Sequence, residues 1–304
     1  MKPRIVFVGG GFAGLTVAKA FRHTSAEILL IDRKNHHLFQ PLLYQVATAG
    51  LSPADIATPI RSVLRGQENT QVMMDEVIGI DVQKKHVLTQ NRAIHYDYLI
   101  IATGSYHSYF GNDAWEHYAP GLKSIADAIE IRKRILIAFE EAEMETDYQK
   151  RQALLSFILI GGGPTGVEMA GSIAELAHQA LKSDFRQIDP RLTRITLIEA
   201  GPQILFQFPL DLAVRAQKKL VDLGVELKTH SRVEHVDSEG VIVSGTRFFA
   251  KTVIWCAGVI ASPAGKWLKA DMDRAGRLIG DTAALIQNGV PLPGVASVAN
   301  MLQK

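Results

Sequence analysis

The chain opens with Arg4-Ile5-Val6-Phe7-Val8-Gly9-Gly10-Gly11-Phe12-Ala13-Gly14, an apolar run that passes directly into a glycine-rich turn. A helical stretch follows, and a second apolar run, Ile28-Leu29-Leu30-Ile31, ends on Asp32. Strand, glycine turn, helix, strand and terminal acid are the layout of a dinucleotide-binding βαβ unit. The alternative interpretation is a glycine-rich turn in an ordinary α/β domain.

Each glycine of this turn has a physical role in that layout. Gly9 allows the chain to turn tightly off the strand, Gly11 lets a pyrophosphate approach the backbone because it has no Cβ, and Gly14 lets the helix pack closely on the strand. The start of the helix offers free N–H groups and the positive end of the helix dipole. Asp32 lies 18 residues after Gly14, where a carboxylate can accept hydrogen bonds from ribose hydroxyls.

The same layout recurs in the second half of the chain. Phe157-Ile158-Leu159-Ile160 leads into Gly161-Gly162-Gly163-Pro164-Thr165-Gly166, and a later apolar run ends on Glu199. A small-residue turn also closes a strand in each half, Ala102-Thr103-Gly104 in the first and Cys256-Ala257-Gly258 in the second. Two such units imply two dinucleotides, and two redox cofactors are most useful when they exchange electrons. Duplication for structural reasons alone is the alternative.

Length and composition limit the other possibilities. A chain of 304 residues, 47% apolar and 21% charged, predicts a globular protein of about two domains. The net charge of +2, with no clustered Lys/Arg stripe, gives no reason to expect nucleic acid. Cys256 is the only cysteine, which excludes an internal disulfide and a CxxC redox centre. His36 and His37 lack further ligands at useful spacing, so we predict no metal site.

A long helix is predicted between the two halves. Ser124 and Asp127 have the spacing of a capping box, which opens an amphipathic helix that we extend to about Tyr148. Its apolar side is predicted to consist of Ile125, Ile129, Leu136 and Phe139. Short strands joined by glycine turns follow each βαβ unit and indicate a small β-meander in each half. The sequence thus predicts an α/β protein with two Rossmann-like domains.

These motifs together resemble the two-dinucleotide-binding-domain flavoprotein reductases, that is, the pyridine nucleotide-disulfide reductase-like fold that binds FAD and NAD(P). Within that group the chain resembles type II NADH dehydrogenase, the single-subunit NADH:quinone oxidoreductase. The stretches that carry this resemblance are 38–48 (Leu-Phe-Gln-Pro-Leu-Leu-Tyr-Gln-Val-Ala-Thr), 161–168 (Gly-Gly-Gly-Pro-Thr-Gly-Val-Glu) and 293–296 (Pro-Gly-Val-Ala). The resemblance covers essentially the whole chain. It implies an FAD-binding domain at 1–120 and 265–304, a connecting helix at 121–152 and an NAD(H)-binding domain at 153–264.

The resemblance also assigns roles to individual residues. It implies that FAD is bound by Gly9, Gly11, Gly14, Asp32, Thr103, Gly104 and Asp281. It implies that NADH is bound by Gly161, Gly163, Gly166, Glu199 and Gly258. An acid at Glu199 should disfavour the 2′-phosphate of NADPH through charge repulsion. Glu168 resembles the family's catalytic glutamate near the nicotinamide–flavin contact; the alternative is that it only complements the dipole of its helix.

The expected activity is the transfer of a hydride from NADH to FAD and then of two electrons to a quinone, without proton pumping. Disulfide reductases and sulfide:quinone oxidoreductases of this fold use cysteine chemistry that Cys256 alone cannot supply. A soluble FAD-dependent NADH reductase with another acceptor, and a non-catalytic NAD-binding remnant, remain as alternatives.

The resemblance implies a peripheral enzyme on the inner, cytoplasmic face of the cell membrane. No apolar run approaches the ~20 residues that span a bilayer, so attachment would use a C-terminal part that this chain lacks. A homodimer is left open. The sequence departs from the family in two places: there is no room for the usual strand between Leu278 and Ile279, and Met301 stands where the family has a glutamine.

Overall fold

A computed structural model describes residues 2–277, 286–287 and 290–291 of the chain. Its strands are, in chain order, β1 (Arg4–Val8), β2 (Glu27–Asp32), β3 (His36–Leu38), β4 (Ala57–Pro59), β5 (Thr70–Met74), β6 (Val77–Asp81), β7 (His86–Thr89), β8 (Ala93–His95), β9 (Tyr98–Ile101), β10 (Ser105–His107), β11 (Ser156–Ile160), β12 (Arg194–Ile198), β13 (Val225–Lys228), β14 (Val233–Asp237), β15 (Gly240–Val243), β16 (Thr246–Phe249), β17 (Thr252–Trp255), β18 (Val259–Ala261), β19 (Ile286–Gln287) and β20 (Val290–Pro291). Its α-helices are α1 (Phe12–Ala20), α2 (Leu43–Ala47), α3 (Ile60–Val63), α4 (Ile125–Met144), α5 (Tyr148–Leu154), α6 (Pro164–Glu175), α7 (Leu210–Asp222) and α8 (Ala264–Leu268).

The chain divides into two compact units. The first comprises the chain up to Leu38, Ala57–Tyr106 and the chain from Val259; the second comprises Phe39–Ile56 and His107–Gly258. These units differ from the predicted domains in placing Phe39–Ile56, 107–120 and the predicted connecting helix at 121–152 with the second glycine motif, and 259–264 with the first. The predicted domain boundaries stay a prediction. None of the described helices is both long enough and apolar enough to cross a membrane.

The first unit is built on a four-stranded parallel sheet in the order β5-β2-β1-β9. Its apolar strand residues are buried on both faces, as is usual for parallel strands. One face packs against α1 and α3, and the other against the antiparallel meander β6-β7-β8. The carboxyl ends of β1 and β2 carry the first glycine turn and Asp32, so this arrangement places both at one edge of the sheet.

The second unit repeats the plan. Its parallel sheet has the order β13-β12-β11-β17, and β14-β15-β16 form an antiparallel meander. The strands that follow the two glycine motifs therefore occupy equivalent positions in the two sheets. The predicted fold class, two Rossmann-like sheets each with a meander, is confirmed.

The long helix α4 begins at the predicted capping box, but its buried face shares only Phe139 with the predicted apolar side. Ser124 Oγ accepts a hydrogen bond from the Asp127 N–H, and Asp127 Oδ2 accepts one from the Ser124 N–H. The buried residues are Ala128, Ile131, Ile135, Ala138, Phe139 and Ala142. Ile129, which we predicted to be buried, is 49% exposed. The prediction weighed only large apolar residues, whereas three alanines form half of the buried face.

An ion pair in the second meander predicts acid sensitivity of the fold. Arg247 Nη1 and Nη2 donate hydrogen bonds of 2.8 Å each to Asp237 Oδ1 and Oδ2. These bonds lower the pKa of Asp237 to about 2. Because the pKa is depressed in the folded protein, the stabilisation is present above the unfolded value of about 3.9 and is lost as the pH falls toward 2.

We expect Arg247→Met to lower the melting temperature by about 2–4 °C at pH 6 and by less at pH 2.5. Circular dichroism melts at the two pH values measure this. Arg191→Met, which breaks an exposed pair with Asp189 within one turn, is the matched control. An equal loss at both pH values would contradict the assignment.

Candidate functional site

The first glycine turn has the geometry that the sequence predicted for it. Gly9 adopts a φ of +110°, and a Cβ there would lie 2.2 Å from the carbonyl oxygen of Ala102. A Cβ on Gly14 would lie 1.8 Å from the carbonyl oxygen of Gly9. By contrast, among the described residues no heavy atom beyond the adjoining chain lies within 4 Å of the position that a Cβ on Gly11 would take. The turn is therefore tightly packed against the protein backbone at Gly9 and Gly14. It is open at Gly11, where a phosphate could approach.

Asp32 closes this turn from the end of β2. Its Oδ2 accepts a hydrogen bond of 2.6 Å from the Gly10 N–H, and its Oδ1 accepts one of 2.7 Å from the Lys34 N–H. An ionised carboxylate offers about four acceptor positions, so two remain available for hydroxyl donors. The Asp32 carboxylate thus holds the glycine turn in place and also presents hydrogen-bond acceptors beside it.

A cleft beside this turn contains residues that we did not predict. It is lined by Gly9, Asp32, Arg33, Thr103, Tyr106 and Trp267, among others. The Arg33 guanidinium lies over the Tyr106 ring at 5.2 Å, a cation–π contact at the edge of the cleft. The Thr103 hydroxyl is hydrogen-bonded to that of Ser262. For Arg33 and Tyr106 the only sequence signal was their position, directly after Asp32 and two residues after Gly104.

His37, considered as a metal ligand in the sequence, instead packs on the glycine turn. Its Nδ1 lies 3.3 Å from the Gly10 carbonyl oxygen, and its ring meets the Phe12 ring edge-on at 4.8 Å. In the described residues no group of three or more His, Cys, Asp or Glu side chains could hold a metal ion. Nearby, the buried Nε2 of His36 has no hydrogen-bond partner among the described residues.

The second glycine turn has nearly the same geometry as the first. Gly161 has a φ of +111°, and a Cβ on Gly166 would lie 1.9 Å from the Gly161 carbonyl oxygen. A Cβ on Gly163 would meet no heavy atom within 4 Å in the part of the chain that the structure describes, apart from the adjoining residues. The Gly161 N–H donates to the Ile198 carbonyl at 2.8 Å, as the Gly9 N–H donates to that of Ile31 at 2.8 Å. The structure therefore supports two nucleotide cradles rather than one cradle and one structural copy.

Glu199 stands where Asp32 stands in the first unit. Its Oε2 accepts a 2.6 Å hydrogen bond from the Gly162 N–H, and its Oε1 accepts one of 2.6 Å from the Gly201 N–H. Both contacts fix the carboxylate at the edge of the glycine turn. In a dinucleotide-binding βαβ unit, an acid at this position can accept hydrogen bonds from ribose hydroxyls and disfavours a phosphate on that ribose.

Glu168 lies in the first turns of α6, two residues after Gly166. It lines a small cavity of the second unit together with Gln40, Tyr44, Lys123 and Thr165. Partial burial raises the pKa of the Glu168 carboxyl above its ordinary value. A raised carboxyl pKa in a polar cavity is a recognised mark of functional residues.

The remaining predicted residues lie at strand ends or outside the described residues. Gly104 and Gly258 have φ values of +70° and +69°, and each lets the chain turn after a strand of its own sheet. Asp281, the apparent gap before it and Met301 fall outside the described residues. Cys256 follows β17, and burial raises its thiol pKa to about 12, so it is not a nucleophile at neutral pH.

Comparison with protein families identifies relatives over most of the chain. The family described as pyridine nucleotide-disulphide oxidoreductase matches residues 3–285. The type II NADH:quinone oxidoreductase Ndh of Mycobacterium tuberculosis is 44% identical over an alignment that covers 97% of this chain and 69% of the relative. The external alternative NAD(P)H-ubiquinone oxidoreductase B2 of Arabidopsis thaliana mitochondria is 32% identical and aligns with 79% of this chain, which covers 43% of that relative.

Solved structures share the fold at lower identity. NDH2 from Plasmodium falciparum in complex with NADH superposes with a TM-score of 0.80 at 24% identity, covering 87% of this chain and 56% of that one. The sulfide:quinone oxidoreductase of Aquifex aeolicus superposes with a TM-score of 0.66 at 20% identity, covering 83% of this chain and 58% of that one. Since the chain spans between about two fifths and two thirds of these proteins, the activity of the whole proteins does not transfer to it automatically.

Proposed function

Because this chain belongs to the pyridine nucleotide-disulphide oxidoreductase family and, within it, to the type II NADH:quinone oxidoreductases, we propose that it oxidises NADH through FAD and passes two electrons to a quinone. The observation that carries the proposal is the duplicated cradle. Two glycine turns, each open at its third glycine and each held by an acid, Asp32 or Glu199, offer places for two dinucleotides in one chain.

FAD supplies the chemistry of this reaction when it is bound: it can take up a hydride and give up its two electrons afterwards. In the first unit, the open space at Gly11 would receive its pyrophosphate and Asp32 its adenine ribose. Thr103 and Gly104, which follow β9, would lie along the cofactor, since Thr103 lines the same cleft as Gly9 and Asp32. We assign Asp281 to the same cofactor from the family resemblance.

The second unit would bind NADH through residues equivalent to those of the first. Gly163 would admit the pyrophosphate, Glu199 would accept hydrogen bonds from both ribose hydroxyls, and Gly258 would lie along the nucleotide. We assign Glu168 to the reacting end of NADH from the family resemblance. The chain's own contribution is therefore orientation and electrostatics, since positioning two reactants can supply ~7–11 kcal/mol of the barrier reduction.

Both the family and the lack of a second cysteine in the sequence favour a quinone or another small molecule as the electron acceptor. Cys256 has no cysteine partner in the sequence and its thiol is protonated at neutral pH, so a dithiol cannot relay the electrons. Electrons would then leave the flavin directly to a small acceptor. The family resemblance further supports peripheral attachment to the inner face of the cell membrane and assembly as a homodimer, which vesicle flotation and light scattering can test.

The central test combines a spectrum with an acceptor assay. We expect the protein, purified or reconstituted with FAD, to show flavin absorption that bleaches on addition of NADH. We expect it to oxidise NADH with a soluble short-chain quinone in a 1:1 ratio. Failure to retain flavin would identify an NAD-binding remnant. Turnover with ferricyanide but not with quinone would identify a reductase with another acceptor.

A further inference from the structure

Strand β5 lies at one edge of the parallel sheet of the first unit. The sheet order β5-β2-β1-β9 gives it a single neighbour, β2. At the two ends of this pairing, the Ile28 N–H donates to the Asn69 carbonyl at 2.8 Å, and the Asp75 N–H donates to the Asp32 carbonyl at 3.0 Å. Because alternate residues of a parallel strand bond to the same neighbour, the odd-numbered residues of this stretch face β2.

The even-numbered residues Val72 and Met74 consequently turn their N–H and carbonyl groups toward the open side of the sheet. Among the residues that the structure describes, none forms a hydrogen bond with these groups. The Met74 side chain is also 61% exposed. A strand edge with free donors and acceptors is a template on which another extended chain can pair. The edge of β5 is therefore able to take an additional strand.

A groove lies beside β5 on each face of the sheet. The first has a volume of about 830 Å³ and is lined by Met73 and by Ile94 of β8, among others. The second has a volume of about 420 Å³ and is lined by Thr70 and Val72, among others. Met73 packs on the core cluster that includes the meander, and Val72 packs on the cluster that includes α1 and α3. Because side chains alternate along a strand, an added strand would direct its side chains into the two grooves in turn.

Positive charge predominates around these two grooves. The basic residues that line them are Lys2, Arg4, Arg61, Arg65 and Arg92, and the acids that line them are Glu27 and Glu68. Within the described part of the chain, Arg4 is the one of these basic residues that has an ion pair, at 3.4 Å from Glu27. The whole chain is nearly balanced, with 33 Lys+Arg and 31 Asp+Glu, so this excess of positive charge is local.

We propose that β5 is a docking edge for an extended acidic segment of a partner protein, which adds to the sheet as a fifth strand. Hydrogen bonds to the backbone of Val72 and Met74 supply affinity, and the grooves select side chains, as is general for β-strand addition. Acidic side chains of the partner meet Arg61 and Arg65 in one groove and Arg92 in the other. The docking edge is thus defined by free backbone groups and by charge complementarity.

The same charges disfavour a second copy of this chain as the occupant. Pairing of two β5 edges would bring identical sets of basic side chains together, and like charges across a strand pair are destabilising. None of the residues that line the two grooves lines the cleft beside the first glycine turn. Partner binding and nucleotide binding can therefore be measured independently of each other.

The first test measures the binding of a defined probe to the FAD-loaded protein by fluorescence anisotropy. The probe is a labelled peptide of about seven residues, close to a typical strand length, in which glutamate and valine alternate. We expect it to bind at least about tenfold more tightly than the same peptide with lysine in place of glutamate. Its affinity should fall between about 50 and 300 mM salt, because screening weakens the charge contacts. Equal binding of the two peptides, or no binding at about 1 mM glutamate peptide, would overturn the proposal.

Two variants separate the backbone contribution from the charge contribution. Val72→Pro removes an N–H on the open side but no bond to β2, a position at which an edge strand tolerates proline. We expect it to weaken peptide binding about tenfold. Arg61→Gln combined with Arg65→Gln should weaken binding by a similar factor, whereas the control pair Arg215→Gln and Lys218→Gln, exposed on α7, should not. Unchanged affinity in Val72→Pro would rule out strand addition.

Amide hydrogen exchange gives a readout that does not depend on the folding of any variant. In the unsubstituted protein, the glutamate peptide should slow exchange at Val72 and Met74 and leave Gln71 and Met73, which already face β2, unchanged. Protection of β5 that appears without peptide as the protein concentration rises would identify a second copy as the occupant. Binding to anionic phospholipid vesicles without binding to the peptide would identify a membrane surface. Either result would contradict docking of an acidic segment.

Discussion

Replacing Gly14 by alanine is expected to destabilise the protein by about 3 kcal/mol and to abolish FAD binding. The new methyl group would lie 1.8 Å from the carbonyl oxygen of Gly9 and 3.0 Å from its carbonyl carbon. Both are backbone atoms, so α1 must shift away from the turn, and overpacking of this kind typically costs ~1–3 kcal/mol or more. Denaturant unfolding of the apoprotein followed by circular dichroism measures the loss.

Gly11→Ala provides the matched contrast within the same turn. Gly11 has a φ of −75°, which alanine also adopts, and the added methyl group would have no heavy atom of the described residues within 4 Å beyond the adjoining chain. We therefore expect the apoprotein to keep its stability within about 0.5 kcal/mol, while FAD binds at least about tenfold more weakly. A flavin fluorescence titration measures the affinity. Normal FAD binding by this variant would show that the pyrophosphate does not approach the turn at Gly11.

Glu199→Gln is expected to shift the preference for NADH over NADPH by about a hundredfold, as a gain of roughly tenfold for NADPH and a similar loss for NADH. Two like charges 4 Å apart repel by ~4 kcal/mol at an effective dielectric of 20, so about 1.4 kcal/mol for each tenfold step is well within reach. Steady-state kcat/KM values for both nucleotides measure the change.

The stability of the Glu199→Gln variant gives a second readout. The amide keeps one acceptor oxygen, so one of the Gly162 and Gly201 N–H groups loses its partner, at a cost of ~1–3 kcal/mol. Glu226→Gln, on the neighbouring strand β13, is the control. It removes an acid whose Oε1 lies 2.7 Å from Lys228 Nζ. It should leave the nucleotide preference unchanged. An unaltered preference in Glu199→Gln would refute the assignment of Glu199 to the adenine ribose.

The amino-acid sequence by itself determined the two βαβ units and the residues of their turns. Strand, turn, helix and second strand are consecutive in the chain, so their geometry depends on local backbone rules that glycine spacing records directly. The contacts at Gly9 and Gly14, and the hydrogen bonds from Gly10 to Asp32 and from Gly162 to Glu199, follow from that spacing.

Only the tertiary structure decided how distant segments combine. No sequence pattern indicated that Phe39–Ile56 belongs to the same compact unit as the second glycine turn, or that Lys123 and Glu168 share a cavity. The buried face of α4 was misjudged for the same reason, since small alanines become buried only when a neighbouring element fits against them. Such contacts are chosen by packing between residues far apart in the chain, and no local pattern encodes the partner.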